Sequence, residues 1–145
     1  MSSEIERKKI LIVDDELDMR IFLCNLLGNC GYESIDAGNR VEGLQKAKQE
    51  KPALIILDVM MPKEGGIQMY RDLKQDRDLR EIPVIMLSNI DRKTFLKYQR
   101  FHSPHKGWDV PEPGAFLEKP LEAEELINTV HRLTKKDECT EIVDQ

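Results

Sequence analysis

The chain has 145 residues, 40% of them hydrophobic and 34% charged. That composition fits one globular domain and excludes a collagen-like or disordered polymer. No apolar run exceeds the five residues Ala53–Leu57, so no transmembrane helix or membrane insertion is expected, and the first nine residues lack the apolar core of a secretory signal. The net charge of −5 argues against direct DNA binding through phosphates, and three cysteines without a CxxC pair read as reduced thiols of a cytoplasmic protein.

Taken in order, short apolar runs alternate with helical periodicities. Ile10–Val13 reads as a buried parallel strand ending in Asp14 and Asp15. A helix starts within Asp15–Asp18, carries Met19, Phe22, Leu23, Leu26 and Leu27 on its apolar face, and stops at Gly28 and Gly31. Tyr32–Ala37 is a weaker strand, followed by a helix near Arg40–Gln49 with Val41, Leu44 and Ala47 inward. Ala53–Leu57 is a second buried strand and ends in Asp58; a loop with Pro62, Gly65 and Gly66 leads to a helix marked by Ile67, Tyr70 and Leu73.

Pro83–Leu87 is a third buried run, ending at Ser88, with a helix expected near Asp91–Phe101 and Phe95, Tyr98 and His102 on one side of it. Ser103–Gly114, with three prolines and Trp108, reads as a loop. Ala115–Glu118 is a short fifth strand, Pro120 forces Lys119 out of helical geometry, and a last helix near Ala123–Thr134 turns Leu126, Ile127, Val130 and Leu133 inward. Five strands alternating with five helices predict a doubly wound α/β domain with a parallel sheet. The domain is expected over 8–134, with flexible termini at 1–7 and 135–145 and no output domain.

In such a sheet the functional crevice lies at the carboxyl ends of the strands. Asp14, Asp15, Asp58, Ser88 and Lys119 all fall there. An aspartate after a strand is commonly a helix cap, but three carboxylates in one crevice repel unless a cation joins them. Oxygen ligands select a hard ion, and partial hydration favours Mg²⁺. Cation, lysine and hydroxyl together form a receptor for a phosphoryl group, with a carboxylate beside them as nucleophile.

The motifs IVDDE, LIILDVMMP, VIMLS and FLEKP, in this order at four strand ends, resemble the receiver domain of two-component response regulators. The resemblance implies a flavodoxin-like sheet order 2-1-3-4-5 and a phosphoacceptor at Asp58. It implies Mg²⁺ held by Asp14, Asp15, Asp58 and the backbone carbonyl of Met60. Ser88 and Lys119 would bind the phosphoryl group, Phe116 would be the rotating aromatic that reports it, and Lys119-Pro120 would be a cis peptide. A sensor histidine kinase or histidine phosphotransfer protein would supply the phosphoryl group, and a downstream protein target would read the changed surface.

Four features depart from the usual pattern. Asn89 replaces a small residue, narrowing access to the aspartate. Glu64-Gly65 replaces an apolar–acidic pair but leaves Gly66 in place. Phe116 lacks the frequent tyrosine hydroxyl, and the Ser88–Lys119 separation is lengthened around Ser103–Gly114. Residues 92–106 carry Arg92, Lys93, Lys97, Arg100 and Lys106 and no acid. This stretch is either a solvated face or a docking patch; the segment Arg92–Gly114, with the last helix, is expected to rearrange with phosphorylation and contact the partner.

Competing patterns are weaker. LIILD resembles a Walker B strand, but no GxxxxGK[ST] cradle exists. A dehalogenase-type phosphatase needs an acid where Met60 stands. His102 and His105 have too few neighbouring ligands for a metal, and Cys24 belongs to the helix core. Beside the phosphoacceptor, not an enzyme in the ordinary sense, stands the alternative of a phosphorylation-independent adaptor with the same fold.

Overall fold

Three runs of apolar residues set the centre of the molecule. In the computed structural model, which describes residues 7–95, 97 and 112–135, they are strands β1 (Lys9–Val13), β3 (Leu54–Asp58) and β4 (Val84–Ser88). Two outer strands, β2 (Glu33–Ala37) and β5 (Ala115–Glu118), flank them in one parallel sheet of order β2-β1-β3-β4-β5. The helices are α1 (Leu17–Asn29), α2 (Arg40–Glu50), α3 (Gly65–Gln75) and α4 (Ala123–Thr134), and residues 92–95 are helical as well. This is the doubly wound parallel sheet expected from the alternation of elements, in the flavodoxin-like order that the resemblance implies.

Side chains alternate across the pleat, so each central strand feeds two cores. Leu11, Val13, Ile55, Leu57, Val84 and Met86 pack against Ala47 of α2, against Ile67, Met69, Tyr70 and Leu73 of α3, and against Phe95. Ile10, Ile12, Leu54, Ile56, Ile85 and Leu87 pack on the other face against Leu23 and Leu27 of α1 and Leu126 and Val130 of α4. Each fully buried aliphatic side chain contributes about 1.5–3 kcal/mol, so these two layers hold the sheet while its carboxyl edge carries polar groups.

Helix registers differ from the sequence expectation in places. Phe22 is 44% and Val41 68% exposed, although both were expected inward. In α1, Leu17 and Ile21 are exposed too, while Leu23 and Leu27 alone are fully buried; the helix carries apolar residues on more than one face. Gly28 lies inside α1 rather than ending it; Gly31, at φ +93°, makes the left-handed turn that follows. Cys24 is half-buried at the rim of the second core. Tyr98, Arg100, His102, His105, Lys106 and Trp108, with nearly all of the expected Ser103–Gly114 loop, lie outside the described residues.

Candidate functional site

The end of β1 is shaped by backbone bonds. Asp14 N–H donates to the Ala37 carbonyl at 3.1 Å, which carries the chain past its last ladder pair with β2. The buried Asp14 carboxylate then accepts from Glu16 N–H at 2.9 Å, an Asx turn that leads the chain into α1. Glu16, at the N-cap, makes no side-chain capping bond. Asp15 lies between them and is exposed.

Asp58 closes β3 in register with Leu87, and Val59 N–H reaches the Leu87 carbonyl one residue further on. Its side chain folds back to accept Met60 N–H at 2.9 Å, and the residue is 3% exposed. Directly above it, Gly66 stands in the first turn of α3. A Cβ there would fall 2.2 Å from the Asp58 carbonyl oxygen and 2.5 Å from Val59 Cα. Only glycine permits the helix to sit this close, and that closeness is what the spacing from Asp58 to Gly66 encodes.

Ser88 and Lys119 come from the neighbouring strands. Lys119 N–H donates to the Ser88 carbonyl at 2.8 Å, extending the β4–β5 pairing beyond Glu118. The Lys119-Pro120 peptide is cis, in agreement with expectation. The buried Ser88 hydroxyl oxygen accepts Ile90 N–H at 3.0 Å, which leaves its own proton available to donate. Phe116, half-buried on β5, lies with its ring 5.3 Å from that of buried Phe95.

The sheet edge brings the charges together. Lys119 Nζ lies 3.4 Å from Asp14 and 3.7 Å from Asp58, with its side chain only 11% exposed. Carboxylate oxygens of Asp14, Asp15 and Asp58 all lie within 4.8 Å of one another. One lysine cannot balance three carboxylates. Burial, with the nearby Asp14 and Asp15 charges, pushes the Asp58 carboxyl up to about 6; the Met60 N–H and Lys119 pull the other way without cancelling it. An all-oxygen donor set under such repulsion fits a hard divalent cation.

Asp14, Asp15, Asp58, Ser88 and Lys119 therefore lie at one edge, with Phe116 two ladder pairs short of the Ser88–Glu118 pair, beside Phe95. Two contributors were not singled out. Ile90 supplies an N–H to Ser88, and Arg20 of α1 donates from Nη1 to the Asp14 carbonyl at 2.8 Å.

Comparison with known proteins agrees with this geometry. Residues 10–102 match the family model described as the response regulator receiver domain. The chain belongs to the response regulator receiver family. Among similar receivers, Protein PilH of Pseudomonas aeruginosa is 32% identical over 124 residues, covering 85% of this chain and 94% of that protein. A signal receiver domain of a histidine kinase from Syntrophus aciditrophicus is 32% identical and superposes with a TM-score of 0.71, covering 95% of this chain and 98% of that one. The chemotaxis response regulator CheY4 of Vibrio cholerae, 25% identical, gives a TM-score of 0.73 over 88% of this chain and 99% of that one.

Other relatives are longer. The probable transcriptional regulator ycf27 of Cyanophora paradoxa is 44% identical over 85 residues, and the match spans 34% of its length. Receivers are phosphoacceptor signalling domains, and this chain carries that fold. No helix among the described residues is long and apolar enough to cross a membrane.

Proposed function

We propose that this receiver accepts a phosphoryl group on Asp58 from a sensor histidine kinase or a histidine phosphotransfer protein. One observation carries the assignment. Asp58 is the acid that ends a central strand, nearly buried, with Lys119 and two further carboxylates around it. A carboxylate oxygen of Asp58 attacks the phosphorus of the donor's phosphohistidine. The new O–P bond forms as the P–N bond breaks, and the imidazole nitrogen leaves with the bonding pair.

Asp14, Asp15, Asp58 and the Met60 carbonyl are the groups that would hold Mg²⁺. When bound, the ion neutralises charge on the carboxylates and on the phosphoryl oxygens. Lys119 supplies a fixed positive charge, and the Ser88 hydroxyl donates to a phosphoryl oxygen. Once Ser88 is drawn toward the phosphoryl group, it vacates space beside β4, and Phe116, whose ring lies 5.3 Å from that of Phe95, turns inward to fill it. That coupling transmits the modification to the surface that follows β4, including Arg92, Lys93 and Lys97, which a downstream protein would read. A cytoplasmic location fits such a partner set.

Intact-mass analysis tests the assignment. With Mg²⁺ and a phosphorylated donor, one phosphoryl adduct is expected on the wild type and none on Asp58→Asn. An adduct that persists in this variant would place the acceptor elsewhere.

A further inference from the structure

Arg20 of α1 reaches the carboxyl ends of two strands. Its Nη1 donates to the Asp14 carbonyl at 2.8 Å and its Nε to Asp36 Oδ2 at 2.8 Å, with the side chain 18% exposed. The guanidinium thus bridges the end of β1 to β2. Gly38 leaves room for it, since a Cβ there would come within 3.1 Å of Nη1. Around it, Lys46 donates to the Asp36 carbonyl at 2.6 Å, and Glu42 accepts Gly38 N–H at 2.9 Å while pairing with Lys46 at 3.1 Å. Arg20 is therefore held in a frame of fixed partners.

The carbonyl it grips belongs to the peptide joining Asp14 to Asp15. The rest of Asp14 is already committed: its N–H goes to Ala37, and its carboxylate to Glu16 N–H and Lys119. Asp15 has no such restraint. It is exposed, and no hydrogen bond or ion pair holds its carboxylate among the described residues. The direction in which Asp15 leaves the chain is set by the plane of the peptide that Arg20 holds.

We infer that Arg20 is a positioning residue for the cation site: by locking the Asp14–Asp15 peptide through the Asp14 carbonyl and Asp36, it aims the free carboxylate of Asp15 at Asp14 and Asp58. This rests on the proposed Mg²⁺ site. A simple charge effect has the opposite sign, because removing a positive charge near a cation site should strengthen cation binding. Loss of partners that orient a metal ligand typically weakens metal affinity by 10-fold or more.

Calorimetric titration of the protein with Mg²⁺ alone, well below its melting temperature, separates the two. Arg20→Gln is expected to weaken Mg²⁺ binding roughly 10-fold, and Arg20→Lys, which can reach one acceptor but not fork to two, by a smaller factor. Unchanged or tighter binding in Arg20→Gln overturns the inference. If Arg20→Gln does not melt cooperatively, Arg20→Lys decides on the same criterion. If neither folds, the wild-type Arg20 Nε–H resonance decides: it should shift on Mg²⁺ addition, and a stationary signal overturns the role. A wild type that binds no Mg²⁺ at all would instead defeat the proposed metal site itself.

Discussion

The two ends of the same parallel sheet handle polar groups in opposite ways. At the amino-terminal edge they pair off. Tyr32 OH meets His131 Nδ1 at 2.5 Å and Thr134 Oγ1 at 3.3 Å, Lys8 Nζ donates to the Thr134 carbonyl at 2.5 Å, and Lys9 pairs with Glu50 at 2.9 Å. At the carboxyl-terminal edge three carboxylates crowd together, two of them, Asp14 and Asp58, beside Lys119, and Asp58 is left protonating near 6. The first edge closes the fold. The second keeps unfavourable negative charge that a bound divalent cation would relieve, held in place by the two apolar cores beneath it.

The sharpest way to break this contrast is at Gly66, where the charged edge depends on close backbone packing. Gly66→Ala forces α3 away from Asp58 and Val59, with a cost of about 3 kcal/mol. Thermal melting should fall by roughly 10 °C, and phosphorylation should fall with it. A variant that melts like the wild type would mean that α3 shifts without disturbing the acceptor.

The opposite sign is expected at Asp58. Its folded-state pKa of about 6 lies above the ordinary value of 3.8, so the folded state binds more protons between those values. The associated stability is complete below pH 3.8 and is lost as pH rises through 6. Without divalent cations at pH 7, Asp58→Asn should therefore be more stable than wild type, by about 1–3 kcal/mol. Denaturant titrations should show that advantage shrinking as pH falls toward 4, and saturating Mg²⁺ should reduce it at pH 7. A variant less stable than wild type in metal-free buffer at pH 7 would remove the stored repulsion from the account.

The amino-terminal edge should respond mildly and in the ordinary direction. Tyr32→Phe deletes one hydroxyl, while exposed His131 can turn to water and Thr134 keeps its bond to the Val130 carbonyl at 2.8 Å. Equilibrium unfolding should report a loss of about 0.5–1.5 kcal/mol, without change in Mg²⁺ affinity. A change in that affinity would show that the two edges are coupled through the sheet.

The central strands were legible because a parallel strand buried on both faces must be apolar throughout, and Asp14, Asp58 and Ser88 each end such a run. The outer strand β2 was less distinct, since Glu33–Ala37 is only partly buried. Phe22 and Val41 were misplaced for a related reason. Helical spacing finds a stripe of apolar residues but cannot choose among overlapping stripes; packing on the sheet chose Leu23 and Leu27 in α1, and Gly43 and Ala47 in α2. Gly43 is small because Met69 and Val13 crowd it, with Met69 Cε 2.9 Å from where a Cβ would stand.

The candidate site was legible in its acids, lysine and hydroxyl, because strand ends converge in this topology whatever the helices do. Arg20 was not, because its value lies in meeting Asp36, sixteen residues away, across two elements whose pairing appears only in three dimensions. The signal available was an arginine one turn into the helix after Asp14-Asp15, which by itself reads as a solvated cation.

Direct titration of the Asp58 carboxyl by ¹³C NMR tests the central contrast. In metal-free buffer the account predicts a midpoint near 6, as burial and the neighbouring acids require, and a midpoint at least one unit lower in saturating Mg²⁺. A metal-free midpoint near 4, unmoved by Mg²⁺, would contradict it.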